Sequence, residues 1–402
     1  MKTMRMTLWA VLALSGMLLT GCSDDTGEIP PIKIEYTRVE QTEFAGQSNQ
    51  FANTLLATLA AKPEAKNANI VVSPVSVQYL LSMMANTINE EAQAEIYAAM
   101  GMTGYSLDQV NQNSKQLLER LQQDDQYVQV ALANSVWAAD GVLPASDFKS
   151  KIKDSYNADL MDCDFANKST EVKQLICQWA KEKTRGMVRE LSVTPTPKTR
   201  ILLANATYFN GKWSQPFNGR NTYKGTFYNE DNTTSQIDMM SATMPALAYA
   251  DDDITAVELS YGRGYYTMMV VMPKDVSKLI EARTDWWALH NKLLKADELD
   301  VKLPKFKVKN QWEDMVSVCR EMGINKLFDT FSGTGSAYVQ MAQDVVIEVD
   351  ENGTKAAAAS GSSDVVMLPD PPKRVVFDHP FVYAIRENTT GTILFMGKVG
   401  KL

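Results

Sequence analysis

The chain has 402 residues, of which 45% are hydrophobic and 22% are charged, and its formal net charge is −8. This composition provides a large core and excludes disorder as the main state, while the acidic balance argues against a nucleic-acid partner. With two histidines (His290 and His379) and four cysteines, none of them in a CxxC pair, the sequence disfavours metalloenzymes and most hydrolases.

The first 21 residues are predicted to be a targeting segment. Two basic residues precede a mostly apolar run from Leu8 to Leu19, which is too short to span a bilayer as a mature helix. The sequence Leu19-Thr20-Gly21-Cys22 resembles a bacterial lipoprotein cleavage site, with an ordinary signal peptide as the alternative. The resemblance implies that residues 1–21 are removed and that Cys22 carries a lipid. The run Ser23-Asp24-Asp25 resembles a short surface-export signal, so a lipid anchor in the bacterial outer membrane is expected, with exposure at the cell surface and the inner face as open alternatives.

Residues 22–36 are predicted to be a tether, and residues 37–402 a folded domain. The first half of the domain has helical patterns over residues 37–62, 74–86, 90–100, 106–122, 146–156 and 170–183, with β character at 128–138. Ser73 and Pro74 supply an N-cap and a proline at the first helical position of the second helix. Apolar residues surround that helix almost completely, which predicts that it is buried.

After Pro197 the patterns become those of strands. They cover residues 200–208, 225–228, 255–259, 265–272, 301–306, 345–349, 375–385 and 392–399, and a helix is predicted at 311–322. The predicted class is therefore α+β, with a helix-rich first half packed on a large mixed or antiparallel sheet and further smaller sheets.

No constellation of residues supports an enzyme. His379 next to Asp378 is the strongest hydrolase candidate, but Pro380 follows it and a polar residue at a strand entry explains it. His290 is explained as a packed or solvated helical residue. The sequence contains no GxSxG elbow, P-loop or HExxH motif, so we expect no catalytic residue, no cofactor and no metal.

Residues 345–376 do not fit an ordinary globular pattern. A strand is followed by Asp350-Glu351-Asn352-Gly353 and then by a long run of small residues. Three interpretations are open, namely a flexible surface loop, a short helix on the alanines, or a segment that inserts between two strands. Loops of this length are uncommon and usually functional. Small side chains suit insertion, because a backbone can then enter a packed sheet without steric overlap.

From about Glu43 to Leu402, the sequence resembles the serpin family. The matching blocks, in family order, are Asn69–Ser76, Asn205–Trp213, Pro216-Phe217, Val301–Phe306, Met322–Ile324, Leu327-Phe328, His379–Phe381, Ile385–Asn388 and Leu394–Val399. Any one block is weak, but their number and order are specific.

The resemblance implies a suicide-substrate inhibitor of serine proteases, with cysteine proteases as a further class. A protease would attack a reactive loop at about 351–374, and the cut loop would enter the main sheet and trap the acyl-enzyme. The residues that the family pattern assigns to the hinge of the loop are Glu351, Gly353, Thr354, Ala356, Ala357, Ala358 and Ala359. Those assigned to the sheet opening are Trp213 at the breach, with Ser73, Ser76, Asn205 and Gln343 at the shutter.

Family spacing from the hinge glycine places the reactive bond at Met367-Leu368, with Val366-Met367 as the alternative. These residues suit elastase-, chymotrypsin- or subtilisin-like proteases. Three positions depart from the family pattern: Lys355 in the hinge, Cys177 in place of an asparagine, and Gln343 in place of a histidine. A monomer is expected. The competing function is a non-inhibitory serpin-fold protein that binds a ligand or assists folding.

Overall fold

The structure is a computed structural model that describes residues 31–35, 41–121, 125–143, 147–275, 278, 285–331, 339–353 and 372–402. Within these ranges no helix is both long and apolar enough to cross a membrane.

The helices lie mainly in the first half of the chain. Their bounds are α1 (Glu43–Ala60), α2 (Pro74–Ala85), α3 (Glu90–Ala99), α4 (Leu107–Leu121), α5 (Asp147–Tyr156), α6 (Phe165–Lys183), α7 (Trp286–His290), α8 (Met315–Glu321) and α9 (Lys326–Phe331). Every residue of α2 is buried, as its all-round apolar pattern predicts. It packs against strands of both sheets described below, so it forms the centre of the core.

The strands are β1 (Ile70–Val72), β2 (Val128–Ala139), β3 (Asp159–Cys163), β4 (Ile201–Gly211), β5 (Tyr223–Tyr228), β6 (Thr234–Ala250), β7 (Ile254–Tyr261), β8 (Tyr266–Pro273), β9 (Leu294–Pro304), β10 (Phe306–Trp312), β11 (Val339–Val349), β12 (Arg374–Val376), β13 (Phe381–Glu387) and β14 (Ile393–Val399). In the described residues they form two sheets. One has nine strands in the order β1-β14-β13-β8-β7-β6-β9-β12, with β5 on β6, and the other has five in the order β10-β11-β4-β2-β3.

The five-stranded sheet is covered on both faces. Alternate residues of β4 and β11, such as Leu203 and Met341, share a core with α2. The intervening residues, among them Ala204 and Ala342, pack in a second cluster with α6. Because side chains alternate between the faces of a strand, a strand added to this sheet would need small or apolar residues toward both layers where α6 covers the second face. Toward the end of β11 that face is open, since Glu348 is exposed.

The predicted α+β class is confirmed, but several elements differ from the sequence prediction. Strands β1, β3 and β6 were not predicted, and the strand predicted at 301–306 includes only the first residue of β10. The helix predicted at 311–322 is wrong in its first part, because β10 continues to Trp312 and the helix begins at Met315, where the Asp314 side chain accepts a hydrogen bond from the Ser317 N–H. The single strand predicted at 375–385 is two strands, β12 and β13, because the chain leaves the ladder between them.

The predicted tether includes residues 31–35, which the structure describes. They lie against the domain, and Ile32 is buried.

Candidate functional site

The strands β4 and β11 are parallel neighbours in the middle of the five-stranded sheet. Their register runs from Ile201 opposite Val339 to Tyr208 opposite Val346. On the α6 side this pair carries Leu202 near its beginning and then Ala204, Ala206 and Ala342, all of them buried. At the three alanines, separating the strands would expose little apolar surface, and the burial free energy scales with apolar area.

A buried polar network crosses this strand pair on the α2 side. We call it the shutter network and define it as Ser73, Ser76, Asn205, Thr207 and Gln343. The Gln343 side chain accepts from the Ser73 N–H at 3.0 Å and donates to the Ser73 carbonyl at 2.9 Å. Hydroxyl contacts continue from Ser73 to Ser76 at 2.9 Å and from Ser76 to Thr207 at 3.1 Å.

The network also reaches the next strand, β2. The Asn205 amide nitrogen donates to the Asn134 side-chain oxygen at 2.9 Å and to the Ala133 carbonyl at 3.0 Å. Gln343 lies on β11 and Asn205 on β4, so the network ties the start of α2 to three adjacent strands. The four shutter residues predicted from the sequence are therefore brought together. Thr207 and Asn134 were missed, although Thr207 lies two residues from Asn205 and so on the same face of β4.

Replacing Gln343 with alanine should lower the stability of the protein. The Ser73 N–H and carbonyl would both lose their partner in a buried place, which costs about 2–4 kcal/mol together with the cavity left behind. Urea unfolding followed by circular dichroism measures the loss. Gln340→Ala on the same strand is the matched control, because the Gln340 amide donates to the Thr194 carbonyl near the surface. Equal losses for the two variants would contradict a special role for the shutter glutamine.

Asp344, the next residue on β11, faces the opposite layer and is 1% exposed. One carboxylate oxygen accepts from the Ser192 N–H at 3.3 Å and from the Gln311 amide at 3.1 Å. The other oxygen is buried and has no hydrogen-bond partner among the described residues. Burial raises the pKa of Asp344 above its ordinary value, although the two hydrogen bonds partly oppose the shift. A charge at the sheet opening therefore destabilises the folded state.

This carboxyl predicts a specific pH dependence. A raised pKa in the folded state means that the folded protein binds the proton more tightly than the unfolded chain, so stability falls as pH rises through the folded pKa. At pH 8, Asp344→Asn should raise the free energy of unfolding by about 1–3 kcal/mol, which thermal unfolding detects as a higher midpoint. The gain should shrink below about pH 4. Asp108→Asn, a control at an exposed carboxylate, should show no such gain. A gain for Asp344→Asn that is the same at both pH values would contradict the burial argument.

At the upper end of β4 and β11 the chain forms the breach, which we define as Gly211–Ser214 with Asp350–Gly353. Trp213 is fully buried there and stacks on Tyr261, with ring centroids 4.3 Å apart. Its indole N–H donates to the Asp350 carbonyl at 3.1 Å, and its backbone N–H to the Asn352 carbonyl at 3.4 Å. Trp213 thus holds the beginning of the hinge on top of the closed strand pair.

Two predicted hinge residues are described, and both are fixed at the breach. The Glu351 carboxylate lies 2.9 Å from the Lys305 ammonium and accepts from the Thr222 hydroxyl at 2.7 Å. Burial opposes ionisation, but these two partners hold the pKa of Glu351 below its usual value. Gly353 bridges to Lys212 with φ of 110°, a conformation that favours glycine.

The remaining predicted site residues lie outside the described residues. They are Thr354, Ala356, Ala357, Ala358 and Ala359 of the hinge, Val366, Met367 and Leu368 at the reactive bond, and Cys22. Their roles stay predictions.

The two histidines lie in different surroundings. His290 contacts Glu258 at 3.1 Å and Arg386 at 3.2 Å, in a largely buried polar cluster. His379 stacks on Tyr228, and its ring nitrogen lies 2.7 Å from the carboxylate of its neighbour Asp378. No serine joins this pair in the hydrogen bonds of the described residues, so these contacts give the hydrolase candidate no support. The described cysteines, Cys163, Cys177 and Cys319, are free thiols.

The class of protein is defined by strand β11, which lies inside the five-stranded sheet and leads directly into the hinge segment at Asp350–Gly353. Comparisons with known proteins identify the family. The family model described as "Serpin (serine protease inhibitor)" matches residues 46–402. The chain belongs to the serpin family, whose members are generally protease inhibitors rather than enzymes.

Individual relatives agree with this assignment. An uncharacterized serpin-like protein of Methanosarcina mazei is 26% identical over 98% of this chain and 97% of its own. The native stressed conformation of Arabidopsis AtSerpin1 has a TM-score of 0.76 at 24% identity, over 89% of this chain and 98% of that one. Human thyroxine-binding globulin complexed with thyroxine has a TM-score of 0.77 at 23% identity, over 89% and 98%. At these identities the structures show the shared fold.

Proposed function

We propose that the chain is a suicide-substrate inhibitor of serine proteases, with cysteine proteases as a further class. The observation that carries the proposal is the closed parallel pair of β4 and β11 with the hinge seated at its upper end. A chain that turned back within Asp350–Asn352 and then entered between these strands from Gly353 onward would run antiparallel to both. One parallel ladder would be replaced by two antiparallel ladders, which form the more stable pairing per residue. The inserted form is therefore lower in free energy than the closed form once the loop is cut.

The length of the loop fits this role. With cleavage at Met367-Leu368, residues 354–367 would follow the hinge glycine, Gly353. Fourteen residues extend over about 46 Å at 3.3 Å each, which exceeds the roughly 36 Å of the 11 residues in β11. The new strand can thus span the sheet and carry an attached acyl-enzyme to its far end. Methionine or valine before the bond fits elastase-, chymotrypsin- or subtilisin-like targets.

The decisive experiment is incubation of the mature domain with an elastase or a subtilisin, followed by denaturing electrophoresis. We expect a covalent complex with the summed mass of the two proteins, and a large rise in thermal stability of the cleaved inhibitor. The same protease with its catalytic serine replaced by alanine should give no such complex, since the trap requires the acyl-enzyme. Clean cleavage without a complex, and without the rise in stability, would contradict the inhibitor function.

That second outcome would favour the competing function, a non-inhibitory serpin-fold binding protein. The fold is shared with human thyroxine-binding globulin, whose structure holds thyroxine. The residues after Gly353 favour inhibition, because an alanine-rich run can be buried between two strands at little steric cost.

We also propose that Cys22 carries a lipid that anchors the protein in the bacterial outer membrane. The support is the apolar run and the small residues before this cysteine. In cells fed a clickable fatty acid, the wild-type chain should be labelled and Cys22→Ser should not. Cys177→Ser is the matched control and should keep the label. Labelling of the Cys22→Ser variant would contradict the proposal.

A further inference from the structure

A short segment before the domain crosses the breach from the outside. We call residues 31–35 the N-terminal strap. Ile32 is 6% exposed and packs against Tyr127, and its N–H donates to the Ser214 carbonyl at 3.4 Å. At the other end of the strap, the Glu35 N–H donates to the Arg263 carbonyl at 2.8 Å. The Glu35 carboxylate also lies 3.6 Å from the Arg263 guanidinium.

The two ends of the strap are attached to different elements. Ser214 follows the breach tryptophan at the end of β4, whereas Arg263 lies in the turn between β7 and β8. These elements already contact one another, because the Ser214 hydroxyl donates to the Gly262 carbonyl at 2.6 Å and the Gly262 N–H to the Lys212 carbonyl at 2.7 Å. The strap therefore adds a second connection across a junction that includes the breach.

The contact between Ile32 and Tyr127 connects the strap to the hinge. The Lys212 N–H donates to the Tyr127 carbonyl at 2.9 Å, and the Lys212 ammonium lies 5.6 Å from the centre of the Tyr127 ring. Lys212 in turn bridges to Gly353. A chain of contacts through Tyr127 and Lys212 thus connects the buried side chain of Ile32 to the hinge glycine.

We propose that the N-terminal strap is a brake on loop insertion. Seated, it stabilises the arrangement of Tyr127, Lys212 and Ser214 in which the breach is closed. Unseated, it leaves that arrangement held only by the domain, so the hinge leaves the breach more often. A pulling force on the chain before Ile32 would therefore act on the contacts of the strap with Ser214 and Arg263. The braking of insertion rests on the proposed inhibitory function, whereas the stabilisation of the breach does not.

Two readouts test the strap in the mature domain. The first is amide hydrogen exchange of a peptide covering residues 212–217, which reports opening of the breach whether or not the protein inhibits a protease. Ile32→Ser should speed this exchange by about tenfold or more, because a buried isoleucine contact is lost. The second is the half-life of inhibitory activity at a fixed elevated temperature, which should shorten by a similar factor.

Lys33→Ser is the matched control, because Lys33 lies in the same segment and is exposed. It should leave both readouts unchanged. A synthetic peptide of residues 28–38, added to the Ile32→Ser protein, should restore slow exchange. Unchanged exchange in Ile32→Ser would overturn the proposal. Fast exchange with an unchanged half-life would overturn the brake on insertion while leaving the stabilised breach. Failure of the wild type to form a covalent complex would instead concern the proposed function alone.

Discussion

Replacing Gly353 with alanine is expected to open the breach. A Cβ atom at this position would lie 2.3 Å from the Trp213 nitrogen and 2.8 Å from the Gly211 carbonyl oxygen. These are backbone atoms of the strand end and cannot move aside as a flexible side chain could. Together with the strain at φ of 110°, the overlap should cost the closed form about 1–3 kcal/mol. An inserted strand has extended φ values, so the inserted form carries no such cost.

The variant should therefore convert by itself, without cleavage, into an inactive and more heat-stable form. The measurement is the loss of inhibitory activity over days at 25 °C, followed by the midpoint of thermal unfolding. Gly323→Ala is the matched control, since Gly323 also has positive φ, of 93°, but beyond its chain neighbours no atom of the described residues lies within 4 Å of its Cβ position. If both variants lose activity at the same rate, backbone strain alone explains the effect and the steric argument is wrong.

The helical half of the fold was predictable because its helices show their apolar periodicity and caps in the sequence. Ser73-Pro74 followed by an apolar run predicts a buried helix, and α2 is buried throughout. The shutter residues were found through the family pattern rather than from local chemistry. Asn205 and Gln343 are 138 positions apart in the chain, and only the parallel register of β4 and β11 brings them opposite each other.

Other features depend on tertiary contacts that leave little trace in a local pattern. Strand β6 is 17 residues long, contains Pro245, and has a register irregularity against β9 between Met244 and Ala246, so its alternation is interrupted. Strand β3 was missed because Asp159 and Asp162 are unfavourable in strands, although it pairs with β2 at the edge of the sheet. The burial of Ile32 could not be foreseen from its neighbours, because Ile34 is also apolar and its partner, Tyr127, lies 95 positions further along the chain.

Two sets of contacts, the breach and the shutter network, hold strands β4 and β11 together at different heights along the pair. The breach holds the hinge at the upper end, and the shutter network holds the middle. A strand that enters from Gly353 must pass the breach first and then displace Gln343 from its contacts across β4. Substitutions at the breach should therefore act mainly on the start of insertion, and those at the shutter on its continuation.

Replacing Thr354 with arginine is expected to convert the inhibitor into a substrate. Thr354 follows the hinge glycine and would be the first loop residue to enter between β4 and β11. On the period-2 rule its side chain would point inward, where an unpaired cation is costly. Each 1.4 kcal/mol added to the insertion barrier slows insertion about tenfold relative to hydrolysis of the acyl-enzyme. The number of inhibitor molecules consumed per protease should therefore rise at least about tenfold, as measured by titration of residual protease activity.

Lys355→Arg is the matched control, because the adjacent side chain would point toward solvent in the inserted strand and already carries a charge. Its stoichiometry should stay that of the wild type. Thr354→Arg should still be cut at the same bond, since the substitution lies 13 residues before Met367. Uncut Thr354→Arg would mean that the protease no longer recognises the loop, and cut protein that still forms the full covalent complex would show that this residue does not enter the sheet. If the number of inhibitor molecules consumed rises for Lys355→Arg and not for Thr354→Arg, then Lys355 and not Thr354 points inward. A one-residue change of register exchanges the two faces of a strand.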